Sequence, residues 1–290
     1  MTTAALCARE LTKSYGATRA LDGCTLEIPR GRVAALIGAN GAGKSTLLRC
    51  AARLARPSGG VLEVLGKGVD RAGPDEFAAV AYLDQAPALF AGFTVEEMLR
   101  FGAKTNARWD RAVVTAYLGE FGIRGSTRVR ALSGGQRIHL SLALCLGKQP
   151  ELLLLDEPAS ALDPLARQEL LMMLMEQVAR TGSSVLLSTH ALGDVAAVCD
   201  YIVVMRAGRV VLADETEFIE ATHLILECED QHAVAPSGVE VIETQRLEHS
   251  VAYLVRAEFP VVSEAWRTAT PTLDEIVMGY LRASRARAAV

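Results

Sequence analysis

Residues 38–45, GANGAGKS, set three glycines ahead of a lysine and a hydroxyl. A triphosphate must be wrapped by backbone N–H groups that point inward, and side chains at Gly38, Gly41 and Gly43 would block that approach or forbid the dihedrals it needs. Lys44 supplies a compact cation for the β and γ phosphates, and the Ser45 hydroxyl can ligate Mg²⁺. Asn40, Ala42 and Thr46 complete the binding stretch. A second candidate, Asp156 followed by Glu157, ends the apolar run ELLLLDEP at residues 151–158. Asp156 suits a Mg²⁺ ligand, direct or through water, and Glu157 a general base for an attacking water.

These groups need elements to carry them. VAALIG, residues 33–38, reads as a buried strand, and STLLRCAARLA, residues 45–55, has apolar residues at helical spacing. A strand, a glycine loop and a helix form the context in which GxxxxGK[ST] binds phosphate, with the helix start adding donors and a favourable dipole. A second buried strand that delivers carboxylates to its carboxyl end beside that loop predicts an open α/β sheet.

Residues 131–137, ALSGGQR, narrow the choice among phosphate-loop proteins. With this LSGGQ signature, the sequence resembles the ATP-binding cassette (ABC) ATPase family. The resemblance covers residues 1 to about 215 and implies a P-loop NTPase core with an antiparallel β flank and a helical subdomain at about 86–148. It assigns Gln85 to the Q-loop, catalytic and near the metal; Ser160 to Asp163 to the D-loop; and His190 to the switch histidine, which orients water relative to Glu157. Tyr15, 23 residues before Gly38, falls where the family stacks a ring on adenine. Ser133, Gly134, Gly135 and Gln136 would contact ATP held by the opposite subunit, so the implied partner is a second cassette, identical or paralogous. The cofactors implied are ATP and Mg²⁺. Ile138 and His139 stand where a second basic residue is common, and Ala159 where Thr is frequent; none is a phosphate or metal ligand, and His139 reads as structural.

Composition bounds the rest. The formal net charge of −4 in 290 residues, with few aromatics, gives no footprint for nucleic acid. VLLSTHALGDVAAVCDYIVVM, residues 185–205, comes nearest to a membrane span, but His190, Asp194 and Asp200 interrupt it. The opening residues show no charged leader before an apolar core, so the expectation is a cytoplasmic protein, peripheral on the inner face of the membrane through a partner. Cys7, Cys24, Cys50, Cys145, Cys199 and Cys228 form no CxxC pair and read as reduced thiols, mostly in the core.

LTKSYG and CTLEIPRG suggest the antiparallel flank, and YIVVMRAGRVVLAD a hairpin turning at Ala207 and Gly208. ALFAGFTVEEMLRF, residues 88–101, offers Leu89, Phe90 and Phe93 before a helix that opens on a cap at Thr94. In transporters of this family, that subdomain receives an integral membrane permease. The cassette is expected over 1–217 and a small α+β accessory domain over 218–290: three short strands, then TLDEIVMGYLRA, a helix with a capping box at Thr272 and Glu275. That ending is similar to ATPase subunits of bacterial ABC-2 type exporters. The leading expectation is therefore the ATPase subunit of an exporter, and the alternative a soluble ABC ATPase acting in assembly or repair without a permease.

Overall fold

The computed structural model describes residues 4–71, 73, 77–160, 162–190, 193, 198–258 and 265–283. Ala161 of the expected D-loop and Asp194 lie outside them. Three sheets organise the described residues. The first is antiparallel and joins β1 (Ala4–Tyr15), β2 (Thr18–Pro29), β4 (Gly59–Val64) and β5 (Lys67–Gly68) in the order β2-β1-β4-β5. The second contains β3 (Val33–Ile37), β6 (Val80–Leu83), β7 (Leu152–Leu155), β8 (Ser184–Thr189), β9 (Tyr201–Arg206) and β10 (Arg209–Glu215), in the order β10-β9-β3-β8-β7-β6. All its pairs are parallel except the β9–β10 hairpin, which turns through Ala207 and Gly208 at φ 47° and 77°.

The parallel sheet is buried on both faces, which explains runs as apolar as LLLL. Alternate residues of each strand enter different cores. Ala35, Ile37, Leu153, Leu155 and Leu187 face the helical side, while Ala34, Leu36, Leu152, Leu154 and Leu186 face the antiparallel flank and α1 (Lys44–Ala51). The sequence pattern extends α1 to residue 55, but the helix stops at Ala51. Arg53 adopts φ 54°, Leu54 and Ala55 both donate back to the Arg49 carbonyl, and the turn leaves Leu54 exposed.

The helical subdomain holds α2 (Val95–Thr105), α3 (Arg111–Glu120), a 3-10 turn (Val129–Ala131) and α4 (Gly134–Gly147). Thr94 and Glu97 close a capping box on α2, and the backbone hydrogen bond from Thr94 is the main reason the Glu97 carboxyl titrates below its ordinary range. His139 is buried on α4, stacked on Phe121 and hydrogen-bonded through Nδ1 to the Tyr117 hydroxyl at 2.8 Å. That is the structural role expected of it. Five of the six cysteines are buried, all six are free, and Cys228 is half-buried. Helix α5 (Pro164–Thr181) packs beneath β3 and β8. Among the described residues, no helix is long and apolar enough to cross a membrane.

The expected end of the cassette at residue 217 falls within α6 (Thr216–Thr222). The third sheet follows, with β11 (His223–Cys228), β12 (Glu240–Arg246), β13 (Val251–Arg256) and β14 (Arg267–Ala269) in the order β12-β13-β11-β14. The short, exposed β14 carries no alternating apolar pattern, and the sequence gives no sign of it. Helix α7 (Leu273–Arg282) has the expected capping box. Its Leu273, Ile276, Val277 and Tyr280 enter the same core as Ile202 and Val204 of the parallel sheet, and the Arg206 guanidinium donates to the Tyr280 carbonyl.

His223 locks this junction. Its Nδ1 lies 2.7 Å from the Ile219 carbonyl, which can only accept, so Nδ1 carries the proton and Nε2 accepts from the Tyr280 hydroxyl at 3.0 Å. Burial is the main cause of its lowered pKa. A histidine whose folded pKa lies below its unfolded value near 6.5 contributes stability above that value and loses it as pH falls through it. Thermal unfolding followed from about pH 7 to about pH 5 should therefore show a shallower loss of stability in His223→Gln than in the unsubstituted protein. Equal slopes would contradict this account of the junction.

Candidate functional site

The loop after β3 has two kinds of glycine. Gly41 and Gly43 sit at φ 80° and 106°, in the region that L side chains rarely adopt. A Cβ on Gly41 would meet nothing within 4 Å, so backbone dihedral alone accounts for that glycine. At Gly43 a Cβ would also lie 2.6 Å from the Ala20 carbonyl oxygen. Gly38 is different: its φ is not positive, but a Cβ would fall 2.5 Å from the Met205 carbonyl oxygen of β9. The loop is fastened to the turn after β9 by a hydrogen bond from Gly208 N to the Ala42 carbonyl at 3.0 Å. Asn40 and Gly41 are exposed at its crest, Ala42 is buried, and Ser45 and Thr46 are half-buried in the first turn of α1.

The parallel strands bring the charged groups to this loop. Lys44 is buried, with Nζ 2.8 Å from the Gly38 carbonyl and 3.4 Å from Glu157 Oε1. Ser45 Oγ donates to Asp156 Oδ1 at 3.0 Å. His190 Nδ1 lies 3.0 Å from Glu157 Oε2, with the imidazole more than half exposed beside a carboxylate that is only 9% exposed. Two linked groups result, Ser45 with Asp156 and Lys44 with Glu157 and His190, set side by side because Asp156 and Glu157 are consecutive. Glu157 sits at φ 47°, an uncommon conformation for a residue with a side chain, and its carbonyl accepts from Ser160 N and Oγ.

Ser188 joins these groups without having been legible in the sequence. It is fully buried, donates to Asp156 Oδ1 at 2.7 Å and accepts from Glu157 N at 2.9 Å. Nothing in SVLLSTH marks a serine inside an apolar strand as more than filler; only strand pairing brings it alongside Asp156.

Other predicted residues stand apart. Gln85 is exposed just past β6, and among the described residues no hydrogen bond ties it to Lys44, Ser45 or Asp156. The neighbouring Asp84 is tied down instead, to Arg49 and to the Tyr82 hydroxyl, both at 3.1 Å. Tyr15 ends β1 with its ring half-exposed and the Lys13 ammonium 4.7 Å from its centroid. Asp163 caps α5 by accepting from Ala166 N at 3.0 Å.

The signature begins α4. Ser133 Oγ accepts from Gln136 N and Gln136 Oε1 accepts from Ser133 N, each at 3.1 Å. That box uses the Gln136 backbone N–H and the Gln136 side-chain oxygen. It leaves the Gly134 and Gly135 N–H groups at the helix start, where the backbone dipole favours an anion. Ser133 and Gly134 are exposed.

The donor set fits Mg²⁺. A hydroxyl and one carboxylate, both hard oxygen ligands, meet at the phosphate loop, and Mg²⁺ in phosphate sites takes few protein ligands and completes its shell with phosphate oxygens and water. Among the described residues there is no cluster of three or more His, Cys, Asp or Glu that could form a metal cage of its own.

On the helical subdomain a groove of about 490 Å³ is lined by Leu89, Phe90, Phe101 and Trp109. Phe90 packs edge-on to Phe101 with centroids 5.2 Å apart, and Phe90, Phe93 and Phe101 are all more than a third exposed. Trp109 is seated against Gly102 and Gly147, where a Cβ would overlap its ring, and its Nε1 is buried without a hydrogen-bond partner among the described residues.

Residues 21–160 match the family described as ABC transporter. The hemin import ATP-binding protein HmuV of Streptomyces coelicolor is 38% identical over 224 residues, 74% of this chain and 80% of that protein. The Nod factor export ATP-binding protein I of Cupriavidus pinatubonensis is 34% identical over 212 residues, 71% of this chain and 65% of that protein's length. Among solved structures, one described as the ATP binding subunit of an ABC transporter superposes with a TM-score of 0.67 at 32% identity, covering 74% of this chain and 92% of the other.

The two loop glycines can be separated by experiment. Gly41→Ala should lower stability in denaturant unfolding by about 1–2 kcal/mol, the cost of a left-handed L-residue. Gly43→Ala, which adds a backbone overlap, should cost clearly more, and equal losses would refute the distinction.

Proposed function

This chain belongs to the ABC transporter family of ATP-binding proteins, and from that premise we propose that it is the ATP-hydrolysing subunit of a membrane transporter, working as one of two cassettes paired head to tail. The observation that carries this reading is that the site has two parts with no hydrogen bond between them among the described residues. Lys44, Ser45, Asp156, Glu157 and His190 cluster on the sheet, while the anion-seeking start of α4 at Ser133 points to solvent. A second cassette brings its own Ser133, Gly134 and Gly135 to the γ phosphate held on the first.

In this reading Gly38 through Thr46 bind the triphosphate and Tyr15 stacks on the base. Ser45 and Asp156 would hold Mg²⁺, with Gln85 reporting on the same site. When held there, Mg²⁺ would supply charge neutralisation to the transferring phosphoryl group. Glu157 takes the proton from the attacking water, and His190, hydrogen-bonded to that carboxylate, fixes the water against the γ phosphate. Asp163 lies at the seam where the two cassettes meet.

The groove at Phe90 and Phe101 takes an apolar helical segment of a permease, which holds the subunit on the inner face of the cell membrane. The accessory domain begins near residue 218. Export is the direction we favour, because the chain's ending at residues 272–283 is similar to that of exporter ATPases.

Two measurements test this. Glu157→Gln should bind MgATP, lose at least about 100-fold in turnover and sediment as an ATP-dependent dimer; hydrolysis at near the unsubstituted rate would remove Glu157 from its role. A photo-crosslinker at Phe90 should capture a polytopic membrane protein in cells. A stable complex containing none would favour a soluble assembly or repair factor.

A further inference from the structure

We propose that Ser188 is a positioning residue that sets both carboxylates of the nucleotide site through one hydroxyl. The inference rests on the MgATP reading above and goes beyond it. A serine hydroxyl has one hydrogen to donate and lone pairs to accept with. Here the hydrogen goes to Asp156 Oδ1 at 2.7 Å, since an ionised carboxylate only accepts, and a lone pair takes the Glu157 N–H at 2.9 Å. Both partners follow β7 directly, and Ser188 is fully buried on β8, so water cannot replace it.

The consequences differ for the two acids. Asp156 Oδ1 already accepts from Ser45 Oγ, so the pair of hydroxyls fixes the plane of the carboxylate. Oδ2 is left without a hydrogen bond among the described residues and is the oxygen presented to a cation or its water. Glu157 must hold φ 47° to keep Oε1 near Lys44 and Oε2 on His190. Its anchored N–H helps hold that conformation. His190 follows Ser188 by two residues, one past the end of β8, so one buried hydroxyl sets metal ligand, base and histidine in a common frame. Alanine at this position would bury an unpartnered Glu157 N–H and free the Asp156 plane to rotate.

The test uses the full chain with Ser188→Ala and Ser188→Thr. ATP affinity is measured in chelator and across a Mg²⁺ titration, alongside turnover. For Ser188→Ala, affinity in chelator should stay within about twofold, while the Mg²⁺ needed for half-maximal effect rises and kcat falls, each by about 10–100-fold, the usual cost of losing a partner behind a metal ligand. KM for MgATP at saturating Mg²⁺ should move less than kcat. Ser188→Thr keeps the hydroxyl and should recover most of both losses. Unsubstituted Mg²⁺ dependence and kcat in Ser188→Ala would overturn the inference. So would a Ser188→Thr variant that binds ATP normally in chelator yet turns over no faster than Ser188→Ala. Loss of ATP affinity in chelator by Ser188→Ala would make the hydroxyl a folding contact, which also overturns it. If the unsubstituted chain shows no Mg²⁺-dependent ATP affinity at all, the nucleotide reading falls and this inference with it.

Discussion

The nucleotide end of the molecule hangs on the register of three parallel strands. Ile37 of β3 pairs with Thr189 of β8, and Leu155 of β7 pairs with Leu187. This alignment makes the phosphate loop, the Asp156–Glu157 pair and the Ser188–His190 segment emerge level with one another. Because side chains alternate across a sheet, a slip of one residue would send every inward group to the opposite face and part Ser45 from Asp156. Register is fixed here by burial on both faces, since each strand feeds two separate apolar cores and tolerates no exchange between them.

Once register is set, geometry at the site follows from few hydrogen bonds. Buried charges are costly unless paired and hydrogen-bonded. Lys44, Asp156 and Glu157 are all nine-tenths buried or more, and each is satisfied by another member of the cluster or by loop carbonyls. The arrangement is therefore internally consistent, and the strained backbone at Glu157 is maintained by neighbours that would lose partners if it relaxed.

Much of this was legible in the sequence because the phosphate loop and the acidic strand end are local patterns. The same holds for the capping boxes at Thr94 and Thr272, where spacing alone encodes the hydrogen bonds. What escaped was non-local or lacked periodicity. Ser188 acquires its partners across 31 and 32 residues, which no local pattern predicts. β14 is three exposed residues on a sheet edge, and the early stop of α1 depends on a left-handed Arg53 that no glycine announces. Gly38 belonged to the motif for a different reason from its neighbours: it clears a carbonyl on another strand rather than permitting an unusual dihedral.

That carbonyl belongs to Met205, and the next residue, Arg206, reaches the Tyr280 carbonyl near the end of α7. Two positions further on, Gly208 is bonded to Ala42 of the phosphate loop. Helix α7 and the glycine loop after β3 are thus both tied to one short hairpin, the helix through Arg206 and the loop through Gly208. Arg206, together with the α7 side chains packed on Ile202 and Val204, is what joins that helix to the strand whose turn also carries the loop.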